Sequence, residues 1–463
     1  MNTVAGYGDV DTIAARATPR GASALSVTRL SGPKAVQIAS SVFEGRDLSE
    51  QDSHTAHVGF IRDADSTIDQ VVVTIFRAPN SSTGEDVVEI TCHGGDVTSD
   101  ALLSLLVQCG ARHAEPGEFT LRSFMNGKVD LAQAEAIAEL IHARSSRATR
   151  ISMAHIRGRY SEELSSIRSD LVELLAMIEL ELDFSEEDVA FADKDRLNQL
   201  LSRADERLKI LASSFRLGRA VTDGIRVVIY GRPNAGKSTL LNAIVGYDRV
   251  IVSDIPGTTR DEIESEIEFE GVRYQFVDTA GLRVTDDMIE AEGVRRSLSA
   301  LEGADLVIEV VDLTTIVSRE KRGPQSQVQL DSDLPHLRIG NKVDLVERAN
   351  VVEEDYDGLM VAETLGNKPE QVELLMKNVA RLTVGSEVLA EEHQVVTSAR
   401  QQAHVRNAAN AVSRARQTLD SGGSSDMLSS DVRLIVNEIG SITGEVTNED
   451  ILDQIFSRFC IGK

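Results

Sequence analysis

Gly231-Arg232-Pro233-Asn234-Ala235-Gly236-Lys237-Ser238 lies between an apolar run, Ile225-Arg226-Val227-Val228-Ile229-Tyr230, and Thr239-Leu240-Leu241-Asn242-Ala243-Ile244-Val245. The order is strand, glycine-rich loop, helix, with the spacing G-x-x-x-x-G-K-[ST] of a phosphate-binding loop. Glycine lets the backbone curl until several N–H groups point inward at a phosphate, and the new helix adds its positive N-terminal end. Lys237 reaches toward the β- and γ-phosphates, and the Ser238 hydroxyl is suited to ligate Mg²⁺. The motif specifies a nucleoside triphosphate, but neither its base nor what hydrolysis drives.

Two more strands ending in polar motifs lie downstream. Tyr274-Gln275-Phe276-Val277 runs into Asp278-Thr279-Ala280-Gly281. A carboxylate there can hold Mg²⁺ through water, and the Gly281 N–H can sense the γ-phosphate. Leu337-Arg338-Ile339-Gly340 runs into Asn341-Lys342-Val343-Asp344. Ionised Asp344 only accepts hydrogen bonds, so it suits the N1–H and 2-amino group of guanine; adenine offers neither donor. Between the loop and these motifs lies Ser253-Asp254-Ile255-Pro256-Gly257-Thr258-Thr259-Arg260-Asp261. A threonine in this segment can complete the Mg²⁺ shell when the γ-phosphate is present, which makes an on/off switch. Three elements in this order predict a GTPase on a mainly parallel, doubly wound sheet, an α/β Ras-like P-loop domain with its ligand at the strands' carboxyl ends. The expected GTP contacts are residues 234–239, 253–259, 278–281 and 341–344.

Many small GTPases carry a water-orienting Gln directly after Asp-x-x-Gly, and here that residue is Leu282. An apolar side chain cannot orient water, so the role falls elsewhere. Glu290, in Asp286-Asp287-Met288-Ile289-Glu290, is one candidate; the plainer reading makes it an exposed glutamate at a helix start. No arginine finger is evident. A monovalent cation with Asn234 among its ligands would supply the missing positive charge.

The chain of 463 residues has room for about three domains, and its 41% of hydrophobic residues suffices for sizeable cores. Lys and Arg total 48 against 74 Asp and Glu, a net charge of -26. Such a chain repels nucleic acid at long range, so RNA contact requires a local basic face or a basic partner. Cys92, Cys109 and Cys460 lack metal-type spacing, and their odd number argues against a disulfide framework and fits a reducing cytoplasm. Residues 1–16 carry acids and no long apolar core, so no signal peptide is expected, and no apolar stretch approaches membrane-spanning length.

Before the GTPase motifs, residues 25–30, 71–76 and 87–91 read as strands and 97–108 as a helix, which implies a small α+β domain over residues 1–127. Arg29 and Glu89 are charges set into strands, and His93-Gly94-Gly95 places an imidazole beside permissive backbone. Either they are chemical, or Arg29 and Glu89 sit on a solvated face and His93 caps the helix. Residues 128–219 and 385–463 are helical by periodicity, with the GTPase domain at 220–384 inserted between the two parts of one α-helical bundle. The first helical pattern is expected to stop at Gly218, and a later helix to run from His393 to Leu419. Arg144, Arg147, Arg150, Arg157 and Arg159 form one run without acids, and Arg400, Arg406, Arg414 and Arg416 another. Each is either a face for RNA or an acidic partner, or a solvated face.

Taken together, the chain resembles the bacterial MnmE (TrmE) family of tRNA-modifying GTPases. The resemblance rests on Ala17-Thr18-Pro19, Thr83-Gly84-Glu85-Asp86, His93-Gly94-Gly95, Pro116-Gly117-Glu118-Phe119, Asp130-Leu131-Ala132-Gln133-Ala134-Glu135-Ala136, the GTPase motifs and Phe459-Cys460-Ile461-Gly462-Lys463. It implies a cytoplasmic homodimer that works with an FAD-dependent partner protein. Together they would install a carboxymethylaminomethyl or aminomethyl group at C5 of the wobble uridine of tRNA. A tetrahydrofolate, in its 5,10-methylene or 5-formyl form, would supply the one-carbon unit. By match, Arg29, Glu89, Lys128 and Lys463 contact folate in an N-terminal domain that also dimerises. K⁺ sits on Asn234, Ser253, Ile255 and Thr258, Mg²⁺ on Ser238 and Thr259, and Glu290 orients the hydrolytic water. K⁺-dependent dimerisation of the GTPase domains drives the cycle. Cys460 is associated with the folate site, and a nucleophilic role would require a depressed thiol pKa. The chain departs from the family at Val361-Ala362-Glu363-Thr364, where Ser-Ala-x is usual, and at Ser82, where an aromatic is usual. A regulatory GTPase of the ribosome-assembly kind shares the GTPase motifs but not the two ends of the chain.

Overall fold

A computed structural model describes residues 11–64, 66–183, 194–247, 251–252, 264–278, 303–314, 334–342, 345, 359–361, 369–385, 394–447, 449–457 and 459–463. The chain divides into two compact units. One comprises the chain to Ala138 with His155–Val172 and Arg433–Lys463; the other comprises Glu139–Ala154 and Glu173–Val432.

The first unit begins with β1 (Ile13–Arg16), β2 (Leu25–Ser31), α1 (Ala35–Val42), β3 (Phe43–Glu44), β4 (Thr55–Asp63), β5 (Ser66–Phe76), β6 (Val87–His93), α2 (Asp96–Gln108), β7 (Arg112–His113) and α3 (Glu118–Met125). The seven strands form one sheet in the order β3-β4-β5-β6-β2-β1-β7, antiparallel except where β7 joins β1. Alternation along β2 buries Ser26, Thr28 and Leu30 and leaves Arg29 on the more open face beside Leu25 and Val27. On β6 the same period buries Val88, Ile90 and Cys92 and sends Glu89 to the open face. α1 and α2 supply Ala35, Ile38, Ala39, Leu102 and Leu106 to the core against the buried side. This is the expected α+β domain.

Helices follow: α4 (Leu131–His142), α5 (Ser146–Ile156), α6 (Arg159–Asp183) and α7 (Lys194–Thr222). Their leucine and isoleucine stripes pack: Leu164, Ile167, Leu171, Leu174 and Ile178 are fully buried, as are Leu200, Leu201, Leu208 and Leu211. The expected stop at Gly218 is wrong, because α7 continues to Thr222. Gly218 is there for close approach. A Cβ on it would lie 1.9 Å from the Val396 carbonyl oxygen, so the glycine admits a crossing strand of backbone without ending the helix.

The α/β domain comprises β8 (Ile225–Tyr230), α8 (Lys237–Val245), β9 (Ile251–Val252), β10 (Glu264–Phe269), β11 (Val272–Asp278), β12 (Leu306–Asp312), β13 (His336–Asn341), β14 (Leu359–Val361) and α9 (Pro369–Thr383). Its sheet runs β14-β13-β12-β8-β11-β10-β9. The five strands from β14 to β11 are parallel, and β10 and β9 pair antiparallel at one edge. Val227, Ile229, Ile308, Val310 and Ile339 pack with Leu241, Ile244, Leu375 and Met376 from the helices. Leu217, Ala220 and Val221 of α7 join the same core, as do Ala148 and Ile151 of α5.

Beyond this domain the chain is helical again: α10 (Ala399–Asp420), α11 (Ser425–Thr443) and α12 (Glu449–Phe456). α10 begins six residues later than His393, at a Ser398 cap whose Oγ accepts from the Gln401 N–H at 3.2 Å. Among the described residues, no helix is long and apolar enough to cross a membrane.

Candidate functional site

The sequence-predicted residues gather in two places. The first is the carboxyl edge of the parallel sheet, where β8, β11, β12 and β13 end at Tyr230, Asp278, Asp312 and Asn341. The loop 231–236 leaves β8 and enters α8 at Lys237. Gly236 caps that helix at φ 101°, and a Cβ on it would lie 2.0 Å from Asn341 Nδ2. Only glycine lets the β13 motif close on the loop there. Asn341, 7% exposed, uses the space to donate from Nδ2 to the Ala235 carbonyl at 2.8 Å. Asn234 holds a left-handed φ of 61°, a region that asparagine tolerates better than most residues.

Lys237, also 7% exposed, donates from Nζ to the carbonyls of Gly231 at 2.9 Å and Arg232 at 3.0 Å. The amine therefore stays inside the loop that receives the phosphates. With the helix N-terminus it forms a compact positive pole at the sheet edge. Lys342 donates to Asp312 Oδ2 at 2.6 Å. Burial alone would raise the Asp312 carboxyl, but the hydrogen bonds from Lys342 and from Thr314 outweigh it and hold it below its ordinary value.

Asp278 is placed at the end of β11, in register with Ile229 of β8. Ser253–Thr259, Thr279–Gly281, Leu282, Glu290, Val343, Asp344 and Ala362–Thr364 lie outside the described residues. The structure thus brings together the loop, Ser238, Thr239, Asn341 and Lys342 at one edge.

The second place is the open face of the N-terminal sheet. Arg29 and Glu89 are direct cross-strand partners. Arg29 Nε donates to Glu89 Oε1 at 2.9 Å, and Nη2 lies 2.8 Å from the same oxygen. The side chains are 19% and 29% exposed, so they form a half-open pair rather than a freely solvated face. The guanidinium also lies 5.6 Å from the centroid of the Phe119 ring, and Nη1 reaches the Gly462 carbonyl at 3.4 Å. Gly462 is buried, and a turn closed by the Lys463 N–H on the Cys460 carbonyl at 3.3 Å holds the segment. Phe456 and Phe459 anchor that segment by burying their rings with Leu121, Leu131 and Leu452. Cys460 is exposed, Lys463 half-buried, and Lys128 exposed beside Gly84.

One reading fails here. His93 does not cap α2: the N-cap is Gly95, and His93 Nδ1 instead pairs with Asp69 Oδ1 at 2.8 Å. In the second arginine run, two members make ion pairs. Arg414 Nε is 3.0 Å from Asp431 Oδ1, and Arg416 Nη1 is 2.6 Å from Asp205 Oδ2.

Sequence reasoning also missed an ion-pair cluster in the same unit. Arg122 donates to Asp11, Glu85 and Glu118, and Arg112 to Asp11 and Glu118. Its only local trace was the spacing of Glu118 and Arg122 on one turn of α3. Burial would raise the Glu118 carboxyl, but Arg112, the Glu115 N–H and Arg122 hold it below its ordinary value. The ring of Phe119 as a neighbour of Arg29 was likewise unforeseen, although the motif containing it was singled out.

A family model described as the MnmE helical domain matches residues 131–460, and one described as the GTP-binding protein TrmE N-terminus matches residues 12–128. The tRNA modification GTPase MnmE of Salinibacter ruber is 52% identical over 98% of this chain and 99% of its own length. That of Cytophaga hutchinsonii is 42% identical over 100% of both. A crystal structure of Aquifex aeolicus Era bound to GDP.AlF4- aligns at 23% identity with a TM-score of 0.25, over 40% of this chain and 66% of that one. With full-length identity at this level and both family models matched, the chain belongs to the MnmE family of tRNA modification GTPases.

Proposed function

We propose that this GTP-hydrolysing enzyme acts on tRNA together with an FAD-dependent partner protein. It adds a carboxymethylaminomethyl or aminomethyl group at C5 of the wobble uridine, with a tetrahydrofolate as one-carbon donor. Its relatives carry the name tRNA modification GTPase, which supports tRNA as the substrate. The proposed domains are 1–127 for folate binding and dimerisation, 128–219 and 385–463 for the helical scaffold, and 220–384 for GTP.

The observation that carries the folate reading is Arg29, held between Glu89, the Phe119 ring and the Gly462 carbonyl. These groups fit such a cofactor. A carboxylate accepts from the N–H donors of a pterin, a guanidinium pairs with carboxylates, and an aromatic face takes a flat ring. Lys128 and Lys463 add positive charge suited to the cofactor's acidic tail. When bound, the tetrahydrofolate supplies a one-carbon unit. Arg29 and Glu89 orient it, and the 459–463 segment limits water from one side.

In the GTPase domain, Lys237, Ser238 and the loop amides bind the phosphates, and Ser238 with Thr259 would hold Mg²⁺. Asn234, the non-glycine residue of the loop with a left-handed backbone, would hold K⁺ with Ser253, Ile255 and Thr258. Glu290 orients the attacking water, and K⁺-dependent pairing of GTPase domains times the cycle.

Titrating the full chain with 5-formyltetrahydrofolate tests the folate half; saturable binding is expected, and its absence overturns that half. GTP turnover in K⁺ against Na⁺ tests the other. A marked K⁺ preference that collapses in Glu290→Ala is expected, and equal rates in the two salts overturn the cation assignment.

A further inference from the structure

We propose that Asp312 is the positioning residue for the nucleobase end of the GTP site, an inference that rests on the GTP-binding reading of Asn341–Asp344. Asp312 ends β12 and is the direct register partner of Asn341 on β13. Its Oδ2 accepts from Lys342 Nζ at 2.6 Å. Its Oδ1 accepts from the Thr314 N–H at 3.0 Å and the Thr314 hydroxyl at 2.7 Å. The carboxylate is therefore held on one side by its own chain turn and holds Lys342 on the other.

Lys342 needs holding. Its φ is 65°, a left-handed conformation that a long side chain adopts only at a cost in energy. The residue before it, Asn341, is tied to the phosphate loop through the Ala235 carbonyl at 2.8 Å. Two consecutive residues at the exit of β13 thus carry separate anchors, one to the loop and one to Asp312. Together they fix the direction in which the backbone leaves β13 at Lys342. Base recognition by a pair of hydrogen bonds is directional, so the exit direction bears on discrimination between bases more than on phosphate chemistry. Loss of the Asp312 charge frees Lys342 while leaving the Asn341 anchor in place.

ITP lacks only the 2-amino group of GTP, so the ratio of kcat/KM for the two nucleotides reads base recognition. Asp312→Asn in the full chain is expected to raise KM for GTP about tenfold, leave kcat within about twofold, and lower the GTP-over-ITP preference. Thr314→Val, which removes one hydroxyl contact with little change of shape, is expected to move KM and the preference the same way by a smaller factor. It keeps the idea testable should Asp312→Asn melt early. In a Lys342→Ala background, Asp312→Asn is expected to add less than about a further twofold, because the two residues act as one. An unchanged GTP-over-ITP preference, a fall in kcat with KM unmoved, or a full additional effect on top of Lys342→Ala overturns the proposal. A wild type that does not prefer GTP to ITP overturns the base-site reading beneath it.

Discussion

Arg29 and Arg122 stand in the same unit and meet carboxylates in opposite ways. Arg122 is 14% exposed and spends its donors on three acids, of which Glu118 is 6% exposed. Arg29 meets a single carboxylate, stacks one face toward Phe119, and makes one long contact to a backbone carbonyl. The first arginine has little left to offer a ligand. The second is oriented but not used up. The difference follows from how many acids the fold brings to each.

Arg122→Ala breaks the comparison most severely. It leaves Glu118 with Arg112 and the Glu115 N–H but one cation fewer, and is expected to cost about 3 kcal/mol, because removal of one partner leaves buried charge undercompensated. Hydrogen exchange across α3 measures it; a loss no greater than that of Arg29→Ala erases the distinction between the two. Next in size is the pH response of the same cluster. Glu118 titrates below its ordinary value of 4.5 in the folded chain. Its contribution is complete above that value and is lost as pH falls through the depressed folded value. Exchange protection in α3 is therefore expected to drop on acidification from 4.5 downward, and Glu118→Gln to flatten that drop. A wild type whose α3 protection is unchanged down to about pH 3 contradicts the sign.

Arg29→Ala is expected to alter stability by about 1 kcal/mol or less, since half-open pairs contribute little. In the same preparation it is expected to abolish folate binding by titration. The smallest stability effect belongs to Lys128→Ala, within about 0.5 kcal/mol for an exposed residue, with folate affinity weakened rather than lost. Should Arg29→Ala bind folate as wild type does, its open orientation serves something else.

The GTPase half was legible because its determinants are contiguous. Residues 231–238 carry the loop, and the ends of β11 and β13 carry their motifs within a few residues of a recognisable strand. The N-terminal site was legible only as a resemblance. Alternation placed Arg29 and Glu89 on strands, but nothing local says that the strands are neighbours in register. The same gap hid the Arg112–Arg122 cluster, whose acids come from positions 11, 85 and 118. Gly218 was misread because glycine in a helix normally marks an end, and the backbone that crosses it arrives from Val396. His93 was misassigned because its partner, Asp69, lies on β5, well away in sequence.

Arg29 and Gly462 are 433 residues apart in sequence. A ribosome adding about 5–20 residues per second takes roughly 20–90 s to cover that interval. For most of it, once Arg112 and His113 have been added, the sheet bearing Arg29 and Glu89 can be folded while Gly462 has not yet been made. A nascent chain can therefore hold a finished β-sheet in which Arg29 has its Glu89 partner but still lacks the Gly462 carbonyl. Folding of the sheet and arrival of the C-terminal segment at Arg29 are separate events in the life of this molecule, divided by most of its translation.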